Sequence, residues 1–130
     1  MQIKFVGLPV LDQEQALAFY TGVAGLTKAA DIDMGPYRFL TVCGDEGFGG
    51  GQIVLEPVDL PPRAAYQTGM FEAGVPILAL NTGDVRADFE RMTAKGVVFR
   101  GEPQDLGPII SVVFEDTCGN LIHLVQAKPM

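Results

Sequence analysis

His123 is the only histidine in the chain, so it is the first place to look for proton transfer or metal binding. Imidazole is the side chain whose ordinary titration lies nearest neutrality, and it is a frequent metal ligand. Gln52 and Glu56 share one apolar run upstream, and Arg38 and Arg63 are cations that an anionic group could use. Two readings of His123 stay open. It is a general base or ligand-orienting donor in a cleft, or a half-buried side chain that fills a strand. No aspartate stands out to orient it and no nucleophile accompanies it, which favours the strand-filling or ligand-contact reading over catalysis. Glu56 precedes Pro57 and reads as the solvent-facing end of a strand; Gln52 sits in mid-strand. Arg38 and Arg63 lie near element ends and read as solvated charges. Cys43 and Cys118 are reactive thiols or, more simply, a small buried hydrophobe and a turn residue. They lack Cys-x-x-Cys spacing, so a reducing compartment and no disulfide framework are expected. The run from Gly47 to Gly51 lacks the spacing and following helix of a phosphate loop and reads as a hairpin.

The 130 residues suit one domain, and 48% hydrophobic content is enough for a core. Sixteen acidic residues outnumber nine basic ones, for a formal net charge of −7. That balance cannot displace counterions from nucleic-acid phosphates, nor coat an anionic membrane. The longest apolar runs are strand-sized, which excludes a helical membrane span. The opening residues read as a strand and not as a secretion signal, so a cytoplasmic location is expected.

The elements that position these side chains come in two copies. Asp33-Met34-Gly35-Pro36 recurs 72 residues later as Asp105-Leu106-Gly107-Pro108, and Asp12 falls on Asp84 at the same offset. Gly25-Leu26 falls on Gly96-Val97, and Gln52 to Leu55 pairs with His123 to Gln126 at offset 71. In the first half the patterns predict a strand from Ile3 to Val10 and a helix from Gln13 to Ala24, with Asp12 and Gln15 as a capping box. Strands from Tyr37 to Val42 and from Gln52 to Glu56 follow. The second half reads as a strand from Val75 to Asn81 and a helix from Val85 to Lys95. Strands near Val97 to Arg100, Ile109 to Phe114 and Leu121 to Gln126 complete it. Prolines mark residues 58–74 as a linker that can hold a short helix from Ala64 to Phe71. The domain is therefore module 1 (about 1–57), linker, and module 2 (about 75–130). Its fold class is α+β, two βαβββ modules forming a curved mixed sheet with the helices outside.

Alternation along each strand separates two faces. Val6, Leu8, Val10, Leu40, Val42, Ile53, Leu55, Leu78, Leu80, Val112, Phe114, Ile122 and Leu124 should lie under the helices. Phe5, Tyr37, Phe39, Thr41, Gln52, Val54, Glu56, Ile77, Ser111 and His123 should line the concave face. That mixture of apolar and aromatic groups with a few polar ones suits a small-molecule pocket.

Val10-x-Asp12, Ala16-x-x-Phe19-Tyr20 and Gly25-Leu26 together resemble the opening of vicinal-oxygen-chelate proteins. That superfamily includes glyoxalase I, bleomycin-resistance proteins and extradiol dioxygenases. Asp116, Gly119-Asn120-Leu121-Ile122 and Leu124-Val125 resemble its closing strand. The resemblance implies the paired-module fold, a homodimer whose cleft walls can be shared between chains, and, in the enzymes, a divalent metal held by four strands. The corresponding positions here are Phe5, Gln52, Ile77 and His123. Phe5 and Ile77 cannot bind a metal, and a register shift of two would put Val54 or Glu56 in place of Gln52. A catalytic zinc normally takes about three protein ligands. The expectation is therefore a small-molecule-binding protein without the metal, with Phe5, Tyr37, Phe39, Gln52, Val54, Glu56, Ile77, Ser111 and His123 as contacts. The alternative is a glyoxalase-like lyase or isomerase acting on a small carbonyl compound through His123. A third reading is a dimer whose cleft is filled by its own bulky side chains.

Overall fold

The computed structural model describes residues 1–45 and 50–129, so the Gly-rich run expected to be a hairpin lies mostly outside the described residues. Module 1 contains β1 (Phe5–Val10), α1 (Gln13–Gly22), β2 (Thr27–Asp33), β3 (Arg38–Cys43) and β4 (Gln52–Pro57). After α2 (Pro61–Glu72), module 2 contains β5 (Leu78–Asn81), α3 (Val85–Ala94), β6 (Gln104–Asp105), β7 (Ile109–Glu115) and β8 (Leu121–Ala127).

The repeated residues do the same physical work twice. The Asp12 carboxylate accepts from the Gln15 amide at 2.9 Å and Asp84 accepts from the Ala87 amide at 3.0 Å, which satisfies donors the first helical turn leaves free. Asp33 Oδ1 accepts from the Gly35 amide at 2.8 Å and Asp105 Oδ1 from the Gly107 amide at 3.0 Å. The main chain then closes both hairpins alike, Met34 N to Tyr37 O and Leu106 N to Ile109 O, each 2.9 Å. Gly35 and Gly107 have φ of +89° and +98°, where a Cβ would be strained. The capping box forms only in part: the Gln15 side chain donates to Thr117 O of module 2 at 3.0 Å.

The strand orders are β1-β4-β3-β2 and β5-β8-β7-β6, with the first pair of each sheet parallel and the others antiparallel. This is the expected α+β fold of two βαβββ modules. Within one chain the modules keep two separate sheets and do not merge into one curved sheet. β1 and β5 each end their own sheet. Thr27–Asp33 carries little apolar signal, yet it is a strand because β3 pairs along its length. Val97 to Arg100 is not a strand: Phe99 makes one isolated bridge to Phe114, and Gly101, with φ of +107°, turns the chain away. Pro76 has no N–H to donate, and β5 starts only at Leu78. The linker helix is longer than expected because Pro61 and Pro62 occupy its first turn, where missing amides cost nothing.

Both sheets back onto one core. Leu8, Val10, Leu40, Val42 and Leu55 from the first meet Val112, Phe114, Ile122 and Leu124 from the second, with Ala16, Phe19 and Tyr20 of α1 and Val85 and Met92 of α3. Phe19 joins Phe114, which joins Phe99 and through it Phe89, with ring centroids 4.6–5.9 Å apart. The expected helix-facing set is thus the shared core except for Val6, which is 43% exposed, and Ile77 from the opposite set packs against the core instead.

A buried polar hub ties the modules together. The Asp116 carboxylate accepts from Tyr20 Oη at 2.5 Å, from the Cys118 and Asn120 amides at 2.8 and 3.0 Å, and from Asn120 Nδ2 at 2.8 Å. Asn120 Nδ2 and Gln67 Nε2 both donate to Pro9 O, at 2.7 and 3.0 Å. Cys118 lies fully buried in this turn and Cys43 is buried as well; burial first, then the nearby Asp116 charge, pushes the Cys118 thiol up to about 11. Neither is poised as a nucleophile by an adjacent base, and the small-hydrophobe and turn readings describe them.

Candidate functional site

The outer face of module 1 forms a cavity of about 440 Å³, lined by residues that include Phe5, Gly7, Tyr37, Phe39, Val54, Glu56, Leu60 and Arg63. β1 and β4 run parallel in register, with Phe5 beside Gln52, Gly7 beside Val54 and Pro9 beside Glu56. Thr41 of β3 stands beside Val54. Cross-strand partners share a face, which places Phe5, Gly7, Phe39, Thr41, Gln52, Val54 and Glu56 on one surface. Phe5 and Phe39 meet edge to face, with centroids 5.5 Å apart.

The charged groups are more ordered than their sequence positions suggest. Glu56 does not end its strand in solvent. Its carboxylate folds back over β1, so that a Cβ on Gly7 would lie 1.9 Å from Glu56 Oε1. Arg63, one turn into α2, holds that carboxylate through Nη2 at 2.7 Å and donates through Nη1 to Pro57 O and Asp59. Arg63 is therefore a half-buried wall of the cavity and not a solvated charge; its spacing of four from Asp59 was the available signal. Arg38 also lines the cavity but is committed to Asp31 at 2.8 and 3.0 Å and to Glu14. Arg38 hydrogen-bonds hold Asp31 down to about 2. Gln13 fixes the frame: its Nε2 donates to Arg38 O and Leu55 O at 2.7 and 2.8 Å, and its Oε1 accepts from the Arg38 amide.

The structure brings Phe5, Tyr37, Phe39, Val54 and Glu56 together at this cavity. Gln52, Ile77, Ser111 and His123 are not in it. Gln52 Oε1 accepts from Thr41 Oγ1 at 2.8 Å, and Thr41 is fully buried. Ile77 packs against the shared core, and Ser111 is buried beside Val125. His123 is half-buried between Ala79 and Val113, on the outer face of module 2. The register also corrects the repeat at its last strand. Gly7 and Thr41 flank Val54 as Ala79 and Val113 flank His123, so the module 1 counterpart of His123 is Val54 and not Gln52. The offset of 71 matched apolar letters; the ladder sets it two residues tighter. Among the described residues, no three His, Cys, Asp or Glu side chains come together as a metal cluster.

A second cavity of about 500 Å³ lies between the modules, beside Leu26, Ile53, Leu80 and Met92. Two of its charged groups pair, Asp88 with Arg91 at 3.5 Å, and Asp88 also accepts from Thr82 Oγ1 at 2.5 Å.

Two βαβββ modules with a lined concave face define a vicinal-oxygen-chelate protein. The chain belongs to the Glyoxalase/Bleomycin resistance protein/Dioxygenase superfamily, whose family model matches residues 2–124. It is similar to YurT of Bacillus subtilis (strain 168), 37% identical over 126 residues that cover 97% of this chain and 99% of that protein. Among solved structures it is similar to UcmS2, 30% identical with a TM-score of 0.82, covering 96% of this chain and 97% of that one. It is also similar to TnmS3, an antibiotic binding protein from Streptomyces sp. CB03234, 28% identical with a TM-score of 0.78, covering 98% and 97%. No helix among the described residues is long and apolar enough to cross a membrane.

Proposed function

We propose that this chain binds a small, largely aromatic molecule on the concave face of module 1, and that it does so without a metal ion. The carrying observation is the cavity itself: Phe5, Tyr37, Phe39, Val54 and Leu60 around one fixed ion pair, Glu56–Arg63. An apolar wall with few, well-placed polar groups is the usual composition of a small-molecule site. The likeness to TnmS3, an antibiotic binding protein, supports the same reading. The donor set supports metal independence. With the corrected register, the four strand positions hold Phe5, Val54, Ile77 and His123, and one imidazole, even with Glu56 at the same cavity, falls short of the three or so protein ligands a zinc normally takes.

The cavity is open on one side, and β1 and β5 have free edges, with Phe5 and Val6 45% and 43% exposed. A free apolar edge favours pairing with another chain. We therefore assign a homodimer in which the His123 face of a second copy covers the module 1 cavity.

Val54→Trp fills the cavity floor without touching the core. Planar aromatic compounds should raise the melting temperature of the natural chain and leave that of Val54→Trp unchanged. A ligand at a hundred times its Kd adds about 2.7 kcal/mol. Equal shifts in both proteins would place binding elsewhere and refute the reading. Calorimetric titration with Zn²⁺, Ni²⁺ and Mn²⁺ should give no stoichiometric tight site, and sedimentation should give a dimer; a tight metal site or a strict monomer overturns the corresponding part.

A further inference from the structure

We infer that the module 1 cavity selects ligands carrying a cationic or strongly hydrogen-donating nitrogen, and that Glu56 Oε1 is the group that reads it; this rests on the cavity's being the binding site.

Both guanidiniums that line the cavity are already spent on carboxylates. Arg63 serves Glu56 and Asp59, and Arg38 serves Asp31 and Glu14. Four carboxylates thus surround two guanidiniums. Lys4, with Nζ 5.5 Å from the Phe5 ring centroid, is a further cation nearby and still leaves carboxylates in excess. Each arginine commits three of its five N–H donors within the protein, and its charge is matched by two carboxylates, which weakens its pull on an incoming anion. Arg63 uses Nη1 on Pro57 O and Asp59 and Nη2 on Glu56; Arg38 uses Nε, Nη1 and Nη2 on its two carboxylates.

Glu56 is asymmetric. Oε2 takes the Arg63 bond, while Oε1 lies over Gly7. No hydrogen bond from the described residues reaches Oε1, although no buried side-chain oxygen among them lacks a partner, so Oε1 is open to the cavity. The missing side chain of Gly7 is what lets the carboxylate lie there. An oxygen held in place by its twin's ion pair, beside the Phe5 and Phe39 rings, is a preorganised acceptor. The ring faces add a further attraction for a cation.

The test uses three fluorescent tricyclic probes of nearly equal size: proflavine (cationic), acridone (neutral) and acridine-9-carboxylate (anionic). With the natural full chain, proflavine should bind more tightly than acridone by about tenfold, the scale of one hydrogen bond to a charged group, and the carboxylate should bind most weakly. Glu56→Gln should abolish the preference for proflavine. Arg63→Gln frees the Glu56 charge and should widen it, and a change in opposite directions cannot come from general damage to the cavity. Equal affinities, a preference for the carboxylate, or an order unchanged in Glu56→Gln overturns the inference. If the probes bind equally and Val54→Trp blocks all three, only the selectivity fails. If none binds, or Val54→Trp blocks none, the cavity itself is not the site and both readings fall.

Discussion

Replacing Tyr20 with phenylalanine isolates the bond on which the union of the modules turns. Tyr20 and Asp116 are both fully buried, 96 residues apart in sequence, and joined at 2.5 Å. The ring of phenylalanine fills the same space, so little cavity is added. Asp116 keeps three of its four donors, the amides of Cys118 and Asn120 and Asn120 Nδ2. A hydrogen bond to a charged group is worth about 1.5–3 kcal/mol net, so the variant should lose about 2 kcal/mol. For a chain of this size that corresponds to a melting temperature lower by about 6–10 °C. Urea and thermal unfolding followed by circular dichroism measure both quantities. Burial, and then the Asp116 charge and hydrogen bond, raise the Tyr20 phenol well above its ordinary value of 10.0. The unfolded chain therefore sheds this proton near pH 10 while the folded chain keeps it, and stability falls as the pH climbs above that point. The phenylalanine variant lacks this loss, so the gap between the two proteins should narrow above about pH 10. A loss below about 0.5 kcal/mol at neutral pH, or a gap that does not narrow in alkali, would refute the account of the hub.

Gly107→Ala should cost about 1 kcal/mol from backbone strain alone, because φ is +98° and nothing stands within 4 Å of the added Cβ. Gly119→Ala should cost more, about 2 kcal/mol or above, since its φ is +96° and the Cβ would meet the Gln67 amide at 2.9 Å; chemical denaturation ranks the two, and the reverse order would count against the Gln67 contact. Asp31→Asn should flatten the acid limb of stability. Arg38 holds Asp31 at about 2 against an ordinary 3.8, so its contribution is present above about pH 4 and is lost as the pH falls toward 2. Melting temperatures across that window, identical in slope for both proteins, would show the pairing to be inconsequential.

The repeated aspartates and glycines were legible because each acts within a few residues of itself. Asp12, Asp84, Asp33 and Asp105 bond amides two or three positions away, and such local chemistry is written in spacing. β2 was not legible because Lys28, Asp31 and Asp33 fall where an apolar alternation would be expected, opposite Val42, Leu40 and Arg38, and its strand character comes from β3. The pairing of His123 with Gln52 failed for a related reason. Apolar letters alternate with period two, so a slip of two residues leaves the pattern intact, and only the ladder distinguishes Val54 from Gln52.

Sequence by itself determined two βαβββ modules, the helix-facing apolar set apart from Val6, and the absence of ligating side chains at Phe5 and Ile77. Those follow from residue type and periodicity. The tertiary structure decided that the two sheets share one core with their concave faces turned outward, so Glu56 and His123 do not meet in one chain. It also decided that Glu56 and Arg63, read from sequence as solvated ends, form the fixed charge of the cavity. Such outcomes depend on contacts between separate elements, here a strand end and the first turn of a linker helix, whose meeting no local pattern encodes.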